Sequence, residues 1–118
     1  MRNIKITNRE ILADKPRRDI FIMGPVAPGC VYFLLEPISR RIKIGWTCAS
    51  TPYPRIREIM PNCPVPLVLL GYRISDKDRE DHLHTLLWDR RVRNEWFDYS
   101  DPLVVEIVNR HIDKGVRV

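Results

Sequence analysis

Two neighbouring runs decide how this chain folds: Cys30-Val31-Tyr32-Phe33-Leu34-Leu35 and Ile42-Lys43-Ile44-Gly45. Successive side chains of a strand point to opposite faces. An antiparallel hairpin of the two runs therefore places five apolar residues on one buried face, namely Val31, Phe33, Leu35, Ile42 and Ile44. The same alternation sends Tyr32 and Lys43 together to the other face.

This pairing of Tyr32 with Lys43 has two interpretations. A nearby cation stabilises a phenolate and lowers the pKa of tyrosine from about 10. Tyr32 would then accept a proton from an attacking water molecule. The alternative is an ordinary surface contact, in which the ring packs on the lysine stem.

Composition indicates one globular domain with a modest excess of positive charge. The chain has 118 residues, of which 44% are hydrophobic and 30% charged, and a net charge of +5. This size and balance are typical of a single folded domain, and the charge favours a polyanionic partner. The three cysteines form no CxxC pair, which favours a reducing compartment, and we expect a cytoplasmic protein.

We divide the chain into a basic N-terminal arm, residues 1–19, and a single domain, residues 20–118. No charge occurs over 20–35, but Gly and Pro pairs interrupt this run and it is too short to span a membrane. We therefore expect no signal peptide, no transmembrane segment and no membrane partner. Residues 20–23 are a candidate edge strand.

The remaining elements alternate irregularly between strand and helix. Thr51-Pro52 is expected to cap a short helix that Pro61 stops, and residues 67–72 to form a central strand. Ser75 with Asp78 is typical of a capping box, opening a helix that continues to about Arg91. Its buried stripe would be Leu83, Leu86 and Leu87. Residues 94–97 are expected to be a loop or short extended piece.

A last amphipathic helix is expected to begin at Pro102 and to bury Leu103, Ile107, Val108 and Ile112. The predicted order is strand, strand, helix, strand, helix, helix. Strands and helices do not alternate regularly, so the predicted fold class is α+β.

Glu80 is the first candidate for chemistry. On a helical wheel it lies about 65° from the centre of the leucine stripe, and His84 lies one turn further along the same edge. A carboxylate at the core boundary suits one hard cation such as Mg²⁺. The alternative is a solvated helix glutamate. His82 and His84 lie on different sides of the helix, so we expect no zinc site.

Arginines provide candidate phosphate contacts in two places. Arg55 and Arg57 face different sides of the short helix, and either could clamp a phosphate with its planar guanidinium. A second group fits either a backbone-phosphate patch or a cationic helix end, and consists of Arg90, Arg91 and Arg93. Solvated surface arginines are the alternative in both places.

Taken in order, these features resemble the GIY-YIG nuclease superfamily, and most closely its compact phage-type branch. The resemblance covers about residues 29–99, and five ordered segments at sensible spacing make it fairly specific. The segments are Val31-Tyr32, Lys43-Ile44-Gly45-Trp46-Thr47, Arg55-Ile56-Arg57-Glu58-Ile59, Glu80 with His84, and Glu95-Trp96-Phe97.

The resemblance implies a three-stranded antiparallel sheet flanked by helices, and metal-dependent hydrolysis of DNA phosphodiester bonds. Tyr32 matches the tyrosine that orients or deprotonates the attacking water, and Lys43 occupies the position of the second-motif tyrosine. Arg55 matches the arginine that stabilises the pentacovalent phosphate. Glu80 matches the carboxylate that holds one divalent ion, Mg²⁺ or Mn²⁺.

Three departures from the family pattern leave an alternative open. Cys30 replaces the first glycine, Lys43 replaces a tyrosine, and Ile59 stands where a histidine would follow Arg55 by one turn. The alternative is a catalytically impaired DNA-binding module of the same fold, and a protein-interaction domain comes third. The expected nucleic-acid contacts are Arg57, His84, Arg90, Arg91, Arg93 and Asn94. The sequence leaves the oligomeric state open.

Overall fold

The structure is a computed structural model, and it describes residues 29–118. The expected basic arm and the candidate strand at 20–23 lie outside these residues. The α+β class is confirmed. The elements are β1 (Cys30–Glu36), β2 (Arg41–Thr47), α1 (Tyr53–Ile59), β3 (Val68–Ile74), α2 (Lys77–Leu86), β4 (Arg91–Arg93), β5 (Trp96–Asp98), α3 (Pro102–Asp113) and β6 (Val116–Arg117).

The strands form one antiparallel sheet in the order β4-β5-β2-β1-β3-β6. The expectation of three strands is therefore wrong, because the described part of the chain has six. Strands β1, β2 and β3 were each predicted as strands, and the short strands β4, β5 and β6 extend them on both sides. Strands β4, β5 and β6 contain only two or three residues each, too few to give a periodic sequence signal.

The register of the hairpin confirms the alternation predicted from sequence. Phe33 lies opposite Ile44, and Leu35 lies opposite Ile42. These residues and Val31 join the larger core cluster, which α2 and α3 complete with a set of apolar side chains. That set includes Leu83, Leu87, Val104, Ile107, Val108 and Ile112.

The other face of the sheet is also covered, by a smaller cluster of apolar residues. Tyr32 and Leu34 of β1 pack there with Ile56 of α1 and with Leu67. Tyr32 is only 1% exposed. The ring therefore belongs to a second core. The interpretation of Tyr32 as a surface ring packed on the lysine stem is wrong. Strand β1 is the central, doubly buried strand.

Several element details differ from the sequence-based expectations. Strand β3 was expected to be central, yet it lies between β1 and the two-residue β6, and Val68 and Ile74 are about half exposed. Helix α2 ends at Leu86, which is 46% exposed, and a 3-10 turn at Trp88–Arg90 follows. Part of the stretch expected to be a loop or extended piece forms β5.

The helix caps were also only partly predicted. Pro52, which makes no side-chain cap hydrogen bond, is the N-cap of α1 in place of Thr51. Asp76 is the N-cap residue of α2 and makes no side-chain cap hydrogen bond, so the expected capping box is wrong; the Ser75 hydroxyl instead accepts a hydrogen bond from Arg79 Nε at 2.8 Å. The start of α3 at Pro102 is confirmed.

Within residues 29–118, no helix is long and apolar enough to cross a membrane. The longest helix, α3, has 12 residues. A membrane-spanning helix needs about 20 apolar residues.

Candidate active site

The site is built around the buried hydroxyl of Tyr32. Arg55, in the first turn of α1, is the cation that acts on this hydroxyl, and its hydrogen bonding and charge lower the pKa of the phenol. The Nη1 of Arg55 donates to Glu58 Oε1 at 2.9 Å. The Arg55 side chain remains 49% exposed. It therefore connects the buried phenol to solvent.

Gly45 determines where the Tyr32 ring lies. It is the cross-strand partner of Tyr32 in β2, and the ring passes directly over its backbone. A Cβ atom at Gly45 would lie 2.4 Å from Cζ of Tyr32 and 2.5 Å from its hydroxyl oxygen. The glycine is therefore required for the observed position of the hydroxyl. Sequence reasoning included Gly45 in a motif but did not name it as a site residue.

The electrostatic environment keeps the Tyr32 hydroxyl protonated. Burial raises the pKa of Tyr32 to about 12, and the negative charges of Glu95 and Glu80 add to this, whereas the hydrogen bond and charge of Arg55 lower it. The expected lowering of the pKa by Lys43 is therefore wrong. Lys43 lies opposite Leu34 rather than Tyr32, and the cation that acts on the phenol is Arg55.

Lys43 is instead paired with a carboxylate. Its Nζ donates to Glu95 Oε1 at 2.7 Å and lies 5.8 Å from the centre of the Trp96 ring. The lysine side chain is 16% exposed. Because Glu95 also acts on the pKa of Tyr32, it links Lys43 to the site. Glu95 was missed as a site residue, although the Glu95-Trp96-Phe97 motif contained the signal.

Glu80 projects from α2 and is more deeply buried than its position on the helical wheel suggested. It is 3% exposed, and its Oε1 accepts a hydrogen bond from Lys77 Nζ at 2.8 Å. The side chain of Lys77 is 52% exposed. The charge of Glu80 contributes to the raised pKa of Tyr32, less than burial and Glu95 do. Lys77 was not foreseen from the sequence.

The single carboxylate of Glu80 could be one ligand of a Mg²⁺ ion. It could not hold the ion without further ligands from water or substrate. Among residues 29–118 no three His, Cys, Asp or Glu side chains are grouped to hold a metal. Mg²⁺ is usually held by one or two carboxylates, with water and substrate phosphate completing its shell. Glu80 fits this pattern, and the Lys77 ammonium is the cation that a divalent ion would displace.

His84 connects α2 to the sheet. It is 2% exposed, and its Nε2 donates to the carbonyl of Ile44 at 2.8 Å. Its ring also packs against Phe97, with 5.1 Å between ring centres. This buried position favours a structural role for His84, which links α2 and its residue Glu80 to the sheet. It does not favour the expected contact with nucleic acid. The carbonyl can only accept, so the ring carries its proton on Nε2.

The other arginines expected to contact nucleic acid are not among the groups that act on the pKa of Tyr32. Arg57 is exposed on α1. Arg90 is paired with Asp101 at 3.3 Å, and Arg91 stacks on Trp88 at 4.0 Å from the ring centre. The β4–β5 hairpin also carries Arg93 and Asn94, which are exposed, and Asn94 takes a left-handed turn conformation with φ of 50°. Arg90, Arg91 and Arg93 form a basic edge of the sheet beyond β5.

Compared with protein-family models, curated proteins and solved structures, the chain matches none of them. The class of site therefore follows from its own geometry. An arginine that reaches solvent and two carboxylates, each paired with a lysine, act on the pKa of one buried phenol.

Proposed function

We propose that this protein is an endonuclease that hydrolyses DNA phosphodiester bonds with one Mg²⁺ or Mn²⁺ ion at a GIY-YIG-type site. One observation carries the proposal. Arg55 and Glu80 both act on the pKa of the buried Tyr32 phenol, so three residues named from separate sequence segments are electrostatically coupled. The net charge of +5 and the basic edge at β4–β5 suit a polyanionic substrate.

Each residue has a role that follows from its environment. Arg55 is half exposed, and its planar guanidinium binds phosphate oxygens and stabilises the charge that develops on them. Tyr32, with its pKa near 12, acts as a neutral phenol that orients the attacking water by hydrogen bonding. Glu80 would hold the divalent ion, which supplies Lewis acidity when bound. Lys43 and Glu95 set the charge beside the phenol.

A second candidate function is a DNA-binding module of the same fold without hydrolytic activity. Two observations favour it. Tyr32 is protonated at neutral pH, and the Lys43 ammonium is already paired with Glu95. Such a module would bind DNA through phosphate contacts, with affinity that falls as salt rises.

The test compares two glutamate substitutions of equal charge. Glu80→Gln removes the buried carboxylate while keeping its shape, and Glu106→Gln removes an exposed one that pairs only with Arg110 on α3. Purified proteins are incubated with plasmid and branched DNA in Mg²⁺ or Mn²⁺, and binding is measured in parallel. We expect cleavage to fall about 100-fold or more in Glu80→Gln and to be unchanged in Glu106→Gln.

The outcomes separate the two candidates. Cleavage that depends on Glu80 supports the nuclease. Salt-sensitive binding without cleavage supports the binding module. Equal cleavage by the wild type and Glu80→Gln would indicate a contaminant and overturn the nuclease. Failure to bind any DNA at low salt would overturn both.

A further inference from the structure

A second basic cluster lies on the face of the sheet opposite to Tyr32. Arg73 of β3 is the cross-strand partner of Val31, so its side chain shares the face that α2 and α3 cover. There its Nη1 donates to Nδ1 of His111 at 2.8 Å. Arg79 of α2 and Lys114 after α3 place their charges close enough to act on the same imidazole. We call Arg73, Arg79, His111 and Lys114 the His111 cluster.

Backbone geometry holds the three elements of the His111 cluster together. Gly115 packs against β3, and a Cβ atom there would lie 2.8 Å from Cα of Arg73 and 2.3 Å from the Tyr72 carbonyl oxygen. The absent side chain lets the turn that carries Lys114 approach Arg73. On the third element, Arg79 is fixed by its hydrogen bond to the Ser75 hydroxyl. The cluster is therefore a built arrangement rather than a chance meeting of long side chains.

The charges of this cluster are not balanced by carboxylates within residues 29–118. No ion pair there joins Arg73, Arg79 or Lys114 to an acidic group. Two neighbouring arginines, in contrast, do form ion pairs with carboxylates: Arg110 pairs with Glu106, and Arg117 pairs with Asp113. Like charges held close together repel, and the partly buried Arg73 guanidinium has its pKa lowered by burial and by Arg79.

We propose that the His111 cluster is a second phosphate-binding surface, which holds a stretch of nucleic-acid backbone on the side of the sheet away from Tyr32. The proposal rests on the proposed function, which supplies the polyanion. Arg73 uses one guanidinium N–H on His111 and has others to donate, and a guanidinium fork matches phosphate oxygens. Arg79 and Lys114 add two further cations from different elements.

His111 provides an internal reporter of this surface. Burial and the charges of Arg73, Arg79, Lys114 and His82 lower its pKa to about 4, so it is neutral at pH 7 and accepts from Arg73. A phosphate bound among these cations would offset their charge. Binding should therefore raise the pKa of His111, which an NMR titration with inorganic phosphate or duplex DNA would detect.

The decisive experiment compares two double variants that remove the same charge. Arg79→Gln with Lys114→Gln removes two cations of the cluster but leaves the Arg73–His111 contact. Arg110→Gln with Arg117→Gln removes two neighbouring arginines that are already paired. Affinity for duplex DNA is measured in EDTA, which prevents metal-dependent cleavage, over about 50 to 200 mM salt. We expect the slope of log affinity against log salt to flatten by about 1 to 2 in the first variant only.

Cleavage then distinguishes this inference from the proposed function. The cluster variant should raise KM several-fold and leave kcat unchanged, because it removes binding remote from the reacting phosphate. Equal salt slopes in the two double variants, with no change in His111 on adding phosphate, would overturn the second surface while leaving the nuclease intact. Salt slopes that differ in a protein that does not cleave would support the surface and reject the nuclease. A wild type that binds no DNA would overturn both.

Discussion

At the scale of single residues, Gly45 controls the position of the Tyr32 hydroxyl. In Gly45→Ala the new methyl group would overlap the ring, at 2.4 Å from Cζ, so the ring must move. A misplacement of about 1 Å at a reacting centre costs about 100-fold in rate. We expect kcat for DNA cleavage to fall by about that factor, with DNA affinity nearly unchanged.

Tyr32→Phe is the matched variant for this prediction. It removes the hydroxyl without placing any atom on β2, and it should lose a similar amount of activity. Urea unfolding measures how much stability each variant loses. Full activity in Gly45→Ala beside an inactive Tyr32→Phe would contradict the claim that the glycine positions the hydroxyl.

Lys77 is expected to compete with the divalent ion for Glu80. Its ammonium lies 2.8 Å from Oε1, but the lysine side chain is half exposed, so the ion pair is worth at most about 1 kcal/mol. Lys77→Met should therefore tighten Mn²⁺ binding by up to about 5-fold, measured by calorimetry without DNA. Arg110→Gln, with the same charge change at a distant site, should not change it. Tightening that persists after Glu80→Gln is added would place the ion elsewhere.

At the scale of elements, His84 is predicted to stabilise the contact of α2 with β2. His84→Ala would leave the buried Ile44 carbonyl without its side-chain donor, at a cost of about 1 to 3 kcal/mol in the free energy of unfolding. His84→Gln retains a donor and should lose less. Urea unfolding measures both. If His84→Ala weakened DNA binding while unfolding as the wild type does, a direct contact with nucleic acid would replace this interpretation.

Strands with long sequence patterns could be predicted, and very short strands could not. The hairpin of β1 and β2 has seven residues in each strand, and its alternation predicted correctly which side chains share a face, although Tyr32 lies opposite Gly45 rather than Lys43. Strands β5 and β6 form because they pair with the edges of β2 and β3. In the first pair, Trp96 of β5 lies opposite Lys43 of β2. Such pairing depends on tertiary neighbours, and local sequence does not contain it.

At the scale of the whole molecule, both faces of the sheet are covered by apolar clusters, and this limits how much of the site could be predicted from sequence. Tyr32, Arg55 and Glu80 came from motif order, and in the folded chain the charges of Arg55 and Glu80 act on the pKa of Tyr32. The raised pKa of Tyr32 could not be predicted, because the second core that buries its ring includes Ile56 and Leu67 from outside the hairpin. The ion pairs of Lys43 and Lys77 likewise follow from distances that only the folded chain sets.

The His111 cluster also makes the stability of the whole molecule sensitive to acid. The pKa of His111 is about 4 in the folded chain and 6.5 as the ordinary value, so the unfolded chain binds its proton first as pH falls. The stability that neutral His111 contributes is present above about pH 6.5 and is lost between there and pH 4. Because the imidazole is only partly buried, we expect a loss of about 1 to 2 kcal/mol rather than the full value of the shift.

His111→Gln isolates this contribution, since its amide oxygen can still accept from Arg73 and does not titrate. Hydrogen bonds from Ser39 and Ser100 are the main cause of the lowered pKa values of Glu36 and Asp98. The stability that these two carboxylates contribute is also lost in acid, equally in the wild type and in His111→Gln. The difference between wild type and variant therefore reports His111 alone. Urea unfolding from pH 7 to pH 4 should show a shallower loss in the variant. Parallel pH profiles would mean that His111 titrates alike in the folded and unfolded chain, and that the surrounding cations do not act on it.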